Sequence, residues 1–350
     1  MFTFDDLNNP HKTFVIAEAG SNWKCGAYDD DFKRAKELIN IATKCGADAI
    51  KFQTYRPETT YVANAGKSNY LSEHGINENV NKIFENLAMP YEFIPKLAEY
   101  AKEQKIIFMS TPFSVKDAQE IDPYVPIHKV ASYEINHVRL LEFLAQTKKP
   151  IIISTGASTY DEIDFAFNLV KKTNNEIAIL QCTSKYPSPV EVLNLSVIPH
   201  MKSRYGVPVG LSDHSMDPIM GPLLAIGLGA TIIEKHFTLD RNLPGPDHAF
   251  ALIPSELELM IKSVRIAELA KGNGKKIILD EELELRRFAT RSIQAIKDIS
   301  QGETLQEGIN FDVLRPGNRI RGKEARFLDL ISGKKSKKDV KSGDGITEYE

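Results

Sequence analysis

VPVGLSDHSMDPIMGPLLAIGLGATIIEKHFTLD, residues 207–240, holds two short apolar runs that each end on polar residues. The runs are VPVGLSD from Val207 and TIIEKHFT from Thr231, and a helix-like stretch separates them. Upstream the same unit repeats, with EIAILQCT from Glu176, PIIIST from Pro150 and IHKVAS from Ile127. It continues through IIFMST from Ile106, DAIKFQT from Asp48 and TFVIAEAG from Thr13. These are eight candidate strands rich in β-branched residues, each followed by a helical pattern. Two of the helices carry end signals: DFKRAKELINIATKCG stops at Gly46, and TYDEIDFAFNLVKK starts on Thr159. Strictly alternating strands and helices imply a parallel sheet with helices outside it. An open doubly wound sheet would place G-x-G-x-x-G after its first strand, and that motif is missing there. Eight units in roughly 250 residues suit a (β/α)8 TIM barrel.

Composition narrows the function classes. The chain has 350 residues, a formal net charge of -3, 42% hydrophobic and 26% charged residues. That is ordinary for a globular protein and gives no reason to expect nucleic acid or an anionic membrane surface as partner. No run approaches the roughly 18–20 apolar residues of a membrane span. The opening MFTFDDLNNPHK has no basic or apolar leader pattern, so no signal peptide is expected. Three cysteines, Cys25, Cys45 and Cys182, fit a reducing cytoplasm better than a disulfide framework.

Two stretches break the rhythm. Residues 55–89 are polar and aperiodic, with an insertion and a lid or substrate loop both open as readings. After Lys271 the pattern changes: residues 273–285 read as a linker, and 286–350 as a small separate domain in which RSIQAIKDIS forms a strand. A domain of that size is marginal alone and gains from docking.

The strand ends carry the chemistry. In a parallel barrel all C-terminal strand ends converge on one face, where such enzymes keep their active sites. Here those ends present Glu18, Lys51, Gln53, Thr111, Lys129, Ser132, Glu134, Ser154, Ser184, Ser212, Asp213, His214, Glu234, Lys235 and His236. Singly, each reads as a cap or a solvated residue; the recurrence after nearly every strand does not. Lys51 and Lys129 sit inside apolar runs, and a buried lysine needs a partner. Either they face an anion among the neighbouring hydroxyls, or Lys51 pairs with a carboxylate such as Glu18. His214 and His236 end adjacent strands and could share one divalent ion, with Asp213, Glu234 or Asp247 as ligands or orienting partners. General-base and satisfied-core roles are equally open for them. Asp247, in LPGPDHAFAL, is placed by a Gly/Pro loop either to reach a substrate hydroxyl or to cap a turn.

AEAGSN, IKFQTY, STPFS, KVASYEIN, IISTGAST, QCTSKYPSP, GLSDHS, EKHFTLD and GPDHAFAL, in this order, resemble the sialic acid (nonulosonic acid) synthases. The likeness runs from about Thr13 to Ala251. The tail through RPGNRI resembles that family's antifreeze-like (SAF) domain. The resemblance implies condensation of phosphoenolpyruvate with an N-acylated hexosamine, typically N-acetylmannosamine, to a nine-carbon 2-keto acid plus phosphate. It implies a divalent metal at His214 and His236, manganese first, with magnesium or cobalt as substitutes. Phosphoenolpyruvate would be held by Lys51, Thr111, Lys129, Ser132, Ser154 and Ser212. The open-chain sugar would meet Gln53, Glu134, Tyr186, Asp247 and the metal, with Ser184 a further substrate-binding candidate at the mouth. Arg315 would come from the partner in a domain-swapped homodimer and reach the N-acyl group. Glu18, at the end of the first strand, is the candidate to orient the attacking water.

Two departures touch the expected mouth. Family members commonly carry Asn-His where this chain has Asn22 and Trp23, and Asn where it has Ser184. Both suggest a different sugar, such as a di-N-acetylated precursor of legionaminic or pseudaminic acid, and GPDHAF is nearer the sialic and legionaminic branch. Competing readings from other classes are a non-catalytic sugar- or phosphate-binding barrel and a metal-dependent aldolase or hydrolase.

Overall fold

The computed structural model describes residues 2–68 and 77–350. Part of the aperiodic stretch 55–89, namely 69–76, therefore lies outside the described residues. The chain divides into two units, Met1–Asn273 and Gly274–Glu350.

The first unit is built on eight strands: β1 (Phe14–Gly20), β2 (Ala49–Thr54), β3 (Ile107–Pro112) and β4 (His128–Val130). They continue as β5 (Ile151–Ser154), β6 (Ile177–Cys182), β7 (Val209–Asp213) and β8 (Ile232–His236). Each falls on one of the eight runs read from the sequence. The order is β3-β2-β1-β8-β7-β6-β5-β4, and every ladder is parallel. The first strand pairs with both the second and the last, so the sheet curls into a nearly closed TIM barrel whose seam lies between β3 and β4. The end signals work as read. Thr159 accepts a hydrogen bond from the Glu162 amide at the start of helix Tyr160–Lys171. Gly46 ends helix Tyr28–Cys45 at φ 88°, a left-handed conformation natural to glycine.

Successive strand residues point to opposite faces, and the apolar residues accordingly form two clusters. Val15, Ala17, Ile50, Ile153, Ile179, Leu211 and Ile233 pack outward with residues of the surrounding helices. Phe14, Ile16, Ala49, Met109, Ile127, Ile152, Ala178, Leu180 and Ile232 fill the barrel's interior at its N-terminal end. Leu7, from a short turn Phe4–Leu7, closes that end, and its carbonyl accepts from the Thr231 hydroxyl at 2.6 Å. Each buried aliphatic or aromatic side chain contributes about 1.5–3 kcal/mol. This apolar half offsets the cost of packing polar groups into the other half.

The second unit has its own core of Ile293, Ala295, Ile299, Leu305, Phe311, Ile331, Val340 and Ile346. Its two-stranded antiparallel ladder joins β9 (Ser292–Ala295) to β10 (Phe311–Leu314). The first of these lies in RSIQAIKDIS; the second was not singled out in the sequence. Helix Leu283–Ala289 begins inside the stretch read as linker. The three cysteines are free thiols. No helix among the described residues is long and apolar enough to cross a membrane.

Candidate active site

The inward-facing positions change character along each strand. Above the apolar layers, β1 continues to Glu18, β2 to Lys51 and Gln53, β3 to Thr111, β4 to Lys129 and β5 to Ser154. The last three strands bring Cys182, then Ser212 and His214, then Glu234 and His236. With Ser132, Tyr186, Phe113 and Ala131, these residues line one cavity at the C-terminal end of the barrel. Of the expected residues, Glu134, Ser184, Asp247 and Arg315 are not in that lining.

Two of those four stand at its edge. A Cβ built on Gly20, at φ +52°, would come 2.8 Å from Asp247 Oδ2 and 3.4 Å from both Gln53 Nε2 and Glu18 Oε1. The backbone must therefore be bare there to let the three polar groups converge. A Cβ on Gly156 would come 2.1 Å from Ser184 Oγ and 2.9 Å from Ser132 Oγ. Ser184 Oγ is buried without a hydrogen-bonding partner. Glu134 is half-buried in the turn after β4, and burial with the nearby Asp117 charge raises its carboxyl to about 7. Arg315 is exposed in the second unit, just past β10.

The cavity floor is a compact set of charges. Lys51 Nζ lies 2.6 Å from Glu18 Oε2 and donates to Thr111 Oγ1 at 2.8 Å. Lys129 Nζ donates to Ser154 Oγ at 2.7 Å and to the Val130 carbonyl at 2.9 Å. Glu234 Oε1 stands 3.8 Å from Lys51 and 4.0 Å from Lys129, and accepts from Ser212 Oγ at 3.1 Å. Its Oε2 is buried without a hydrogen-bonding partner. Lys51 thus has the Glu18 partner that the sequence left open, and still faces the shared cavity.

Burial opposes every one of these charges, and the neighbours decide the outcome. It raises the Glu18 carboxyl against the pull of Lys51. Around Lys51 the two carboxylates outweigh burial and hold the ammonium above its usual range. Around Lys129 burial prevails, with Glu234 opposing and Lys51 adding to the downward shift.

His214 and His236 have ring centres 5.5 Å apart. His214 Nδ1 lies 2.9 Å from the Thr183 carbonyl and 3.8 Å from Cys182 Sγ. A proton on Nδ1 directed at that carbonyl leaves Nε2 as the lone-pair nitrogen. His236 Nδ1 is buried without a partner, and burial together with the nearby cations lowers this imidazole's pKa well below its usual range. Tyr186 stacks on His214 at 4.1 Å between ring centres, and Phe250 meets His236 at 5.1 Å.

The two imidazoles suit a divalent ion, because one has an orphaned nitrogen in a buried wall and the other has its second nitrogen occupied. Among the described residues, His, Cys, Asp and Glu do not gather into a ligating group of three or more. An ion here would have two protein ligands and take its remaining oxygens from water or substrate.

Three readings are corrected. Trp23 is not at the mouth: it is 1% exposed in the outer core, edge-on to Phe93 at 6.0 Å between ring centres. Asp213 is not beside the imidazoles. It lies on the outward face of β7 and pairs with Lys235 at 2.5 Å. Lys235, read among the strand ends of the mouth, shares that outward face. Cys182, Phe113 and Phe250 were missed. Period-two spacing from Leu180 could have found Cys182; the aromatic residues sit on loops without a period.

The model of the "NeuB family" matches residues 38–276, and that of the "SAF domain" matches 290–348. The spore coat polysaccharide biosynthesis protein SpsE of Bacillus subtilis is 37% identical over 95% of this chain and 92% of its own. A pseudaminic acid synthase of Campylobacter jejuni is 36% identical over 97% of each. The crystal structure of an N-acetylneuraminic acid (sialic acid) synthetase from Leptospira borgpetersenii, with citrate, is 32% identical. It superposes with a TM-score of 0.69 over 79% of this chain and 92% of that one.

Proposed function

This chain belongs to the NeuB family of synthases, and from that premise we propose that it condenses phosphoenolpyruvate with an N-acylated hexosamine. The products are a nine-carbon 2-keto acid and phosphate. One observation carries the reading. Two fully buried lysines, Lys51 and Lys129, face the same small cavity as a pair of imidazoles. Such an arrangement fits a small polyanion placed against an electrophile.

Lys51 and Lys129 hold the phosphate and carboxylate oxygens of phosphoenolpyruvate, with hydroxyls of Thr111, Ser132, Ser154 and Ser212 completing the cradle. Gln53, Asp247, Glu134, Ser184 and Tyr186 hold the open-chain sugar beside it. His214 and His236 hold a divalent ion, manganese first, which supplies Lewis acidity toward the sugar aldehyde when bound. C3 of phosphoenolpyruvate bonds to the aldehyde carbon, water adds at C2, and the C–O bond to phosphate breaks. One proton of the water ends on the former aldehyde oxygen and the other on phosphate. Glu18 orients that water, and the lysines stabilise the departing phosphate. Arg315 of a second copy reaches the N-acyl group, in a homodimer working in the cytoplasm.

The test is phosphate release on mixing phosphoenolpyruvate, manganese and a panel of N-acyl hexosamines. A keto acid of matching mass should appear with it. Release from none of them would defeat the synthase and favour a binding barrel; sugar cleavage without phosphoenolpyruvate would favour an aldolase.

A further inference from the structure

We propose that Ser21 and His248 are positioning residues that hold the Asp247 carboxylate in place for the sugar. This rests on the synthase reading, in which Asp247 meets the open-chain sugar, and deepens it.

Asp247 sits in a loop that leaves β8 and returns alongside it. Both ends of the loop are tied down. The Thr238 amide donates to the Leu252 carbonyl and the Leu252 amide to the His236 carbonyl, each at 2.9 Å. Between them the chain forms neither helix nor strand, so its middle needs another anchor. His248 supplies it. The residue is 1% exposed, and its Nδ1 lies 2.6 Å from Thr238 Oγ1. The threonine's own proton goes to the Asp240 carbonyl at 3.1 Å, which makes the imidazole the donor. Burial lowers the His248 pKa to about 4, so the ring makes this bond uncharged at neutral pH. Gly245 passes close to the same ring: a Cβ there, at φ +147°, would stand 2.8 Å from His248 Cδ2.

His248 thus fixes the backbone next to Asp247, and Ser21 sets the side chain. Ser21 follows β1, and both its amide and its hydroxyl donate to one oxygen, Asp247 Oδ2, at 3.4 and 3.1 Å. A serine that only satisfied a local turn would find its acceptor nearby in the chain; this acceptor is 226 residues away. The adjacent Asn22 donates through Nδ2 to the Phe237 carbonyl at 2.8 Å. Both anchors are therefore referred to Phe237 and Thr238, which continue the strand that bears His236.

The carboxylate so held stands at the cavity's edge, where Gln53 and Glu18 also converge on the bare Cα of Gly20. Burial raises its pKa against the pull of the two Ser21 bonds and of Lys51 on the cavity floor. Two bonds to one oxygen keep the group in one orientation before the sugar arrives, so little has to be ordered on binding.

The experiment reads phosphate release by the full chain with manganese, phosphoenolpyruvate and the fastest sugar of the hexosamine panel. Ser21→Ala removes the hydroxyl and keeps the amide. It should raise the sugar KM about 10-fold, the worth of one hydrogen bond to a charged group, with the KM for phosphoenolpyruvate unchanged. In an Asp247→Ala background the same substitution should add nothing, because the group it positions is gone. His248→Leu should also raise the sugar KM, and His248→Asn, whose amide can donate to Thr238 in place of Nδ1, should restore it. If the leucine variant fails to fold, the Ser21 measurements decide alone. A Ser21 effect of equal size with and without the Asp247 side chain, or one shared by both substrates, overturns this proposal and leaves the synthase standing. Phosphate release from no sugar overturns both.

Discussion

Lys51 and Lys129 inside the barrel and Lys235 outside it are equally buried, at 3%, 2% and 1% exposure. They are not equally satisfied. Lys235 uses all three of its protons: on Asp213 Oδ2 at 2.5 Å, Ser215 Oγ at 3.1 Å and the Asp217 carbonyl at 2.8 Å. Lys129 makes two such bonds and Lys51 one, to Thr111, beside its 2.6 Å ion pair with Glu18, and the further acceptor they share, Glu234, stays at 3.8 and 4.0 Å. A closed ion pair ties β7 to β8. An open one keeps donors for something that arrives. Completeness of hydrogen bonding, more than burial, separates a lysine that holds the fold from one that holds a ligand.

The contrast can be broken most decisively on the inner face. Lys129→Met should lower kcat/KM by about 10²–10³-fold, the loss expected for one preorganised charge donor. Its thermal midpoint should stay near that of the parent. Activity retained, or unfolding instead, would make Lys129 a second Lys235. His236→Ala should likewise abolish metal-dependent turnover while circular dichroism is unchanged. EDTA should inactivate the parent reversibly, because an ion with two protein ligands is readily exchanged; full activity in EDTA would remove the ion from the account.

On the outer face the loss should be one of stability. Lys235→Met strands Asp213 and should cost about 3–5 kcal/mol in denaturant unfolding. Adding Asp213→Leu should restore much of it, with the KM for phosphoenolpyruvate unchanged throughout. No recovery in the double variant would mean that the pair does more than neutralise itself.

A smaller effect separates two groups near β4 by pH. On the outward side of β4, burial lowers the His128 pKa from 6.5 to about 4, against the pull of Asp122. Between those values the unfolded chain binds more protons than the folded one, so stability should fall as pH drops from 6.5 toward 4. In the turn after β4, Glu134 is raised from 4.5 to about 7, so its contribution should fall as pH rises through that window. His128→Gln and Glu134→Gln should each flatten one limb of the stability–pH curve, with little change in Tm at the pH where the respective group is already neutral in both states.

The sequence by itself determined where the strands lie, because β-branched runs between helical periods leave little choice. It also determined that polar groups crowd the strand ends, and the order of its short motifs placed the chain beside the sialic acid synthases. It could not say which of two adjacent polar residues faces inward. Asp213 and His214, or Glu234 and Lys235, look alike in a list of strand ends. Period two separates them, but only closing β1 against β8 decides which parity is inside. The β1–β2 ladder sets Glu18 beside Lys51, and the curl of the sheet brings Glu234 between two lysines and Phe113 to the cavity. It also removes Trp23 to the outer core, where a large ring has helix side chains to pack against. These are contacts between residues distant in sequence, and no local pattern encodes them.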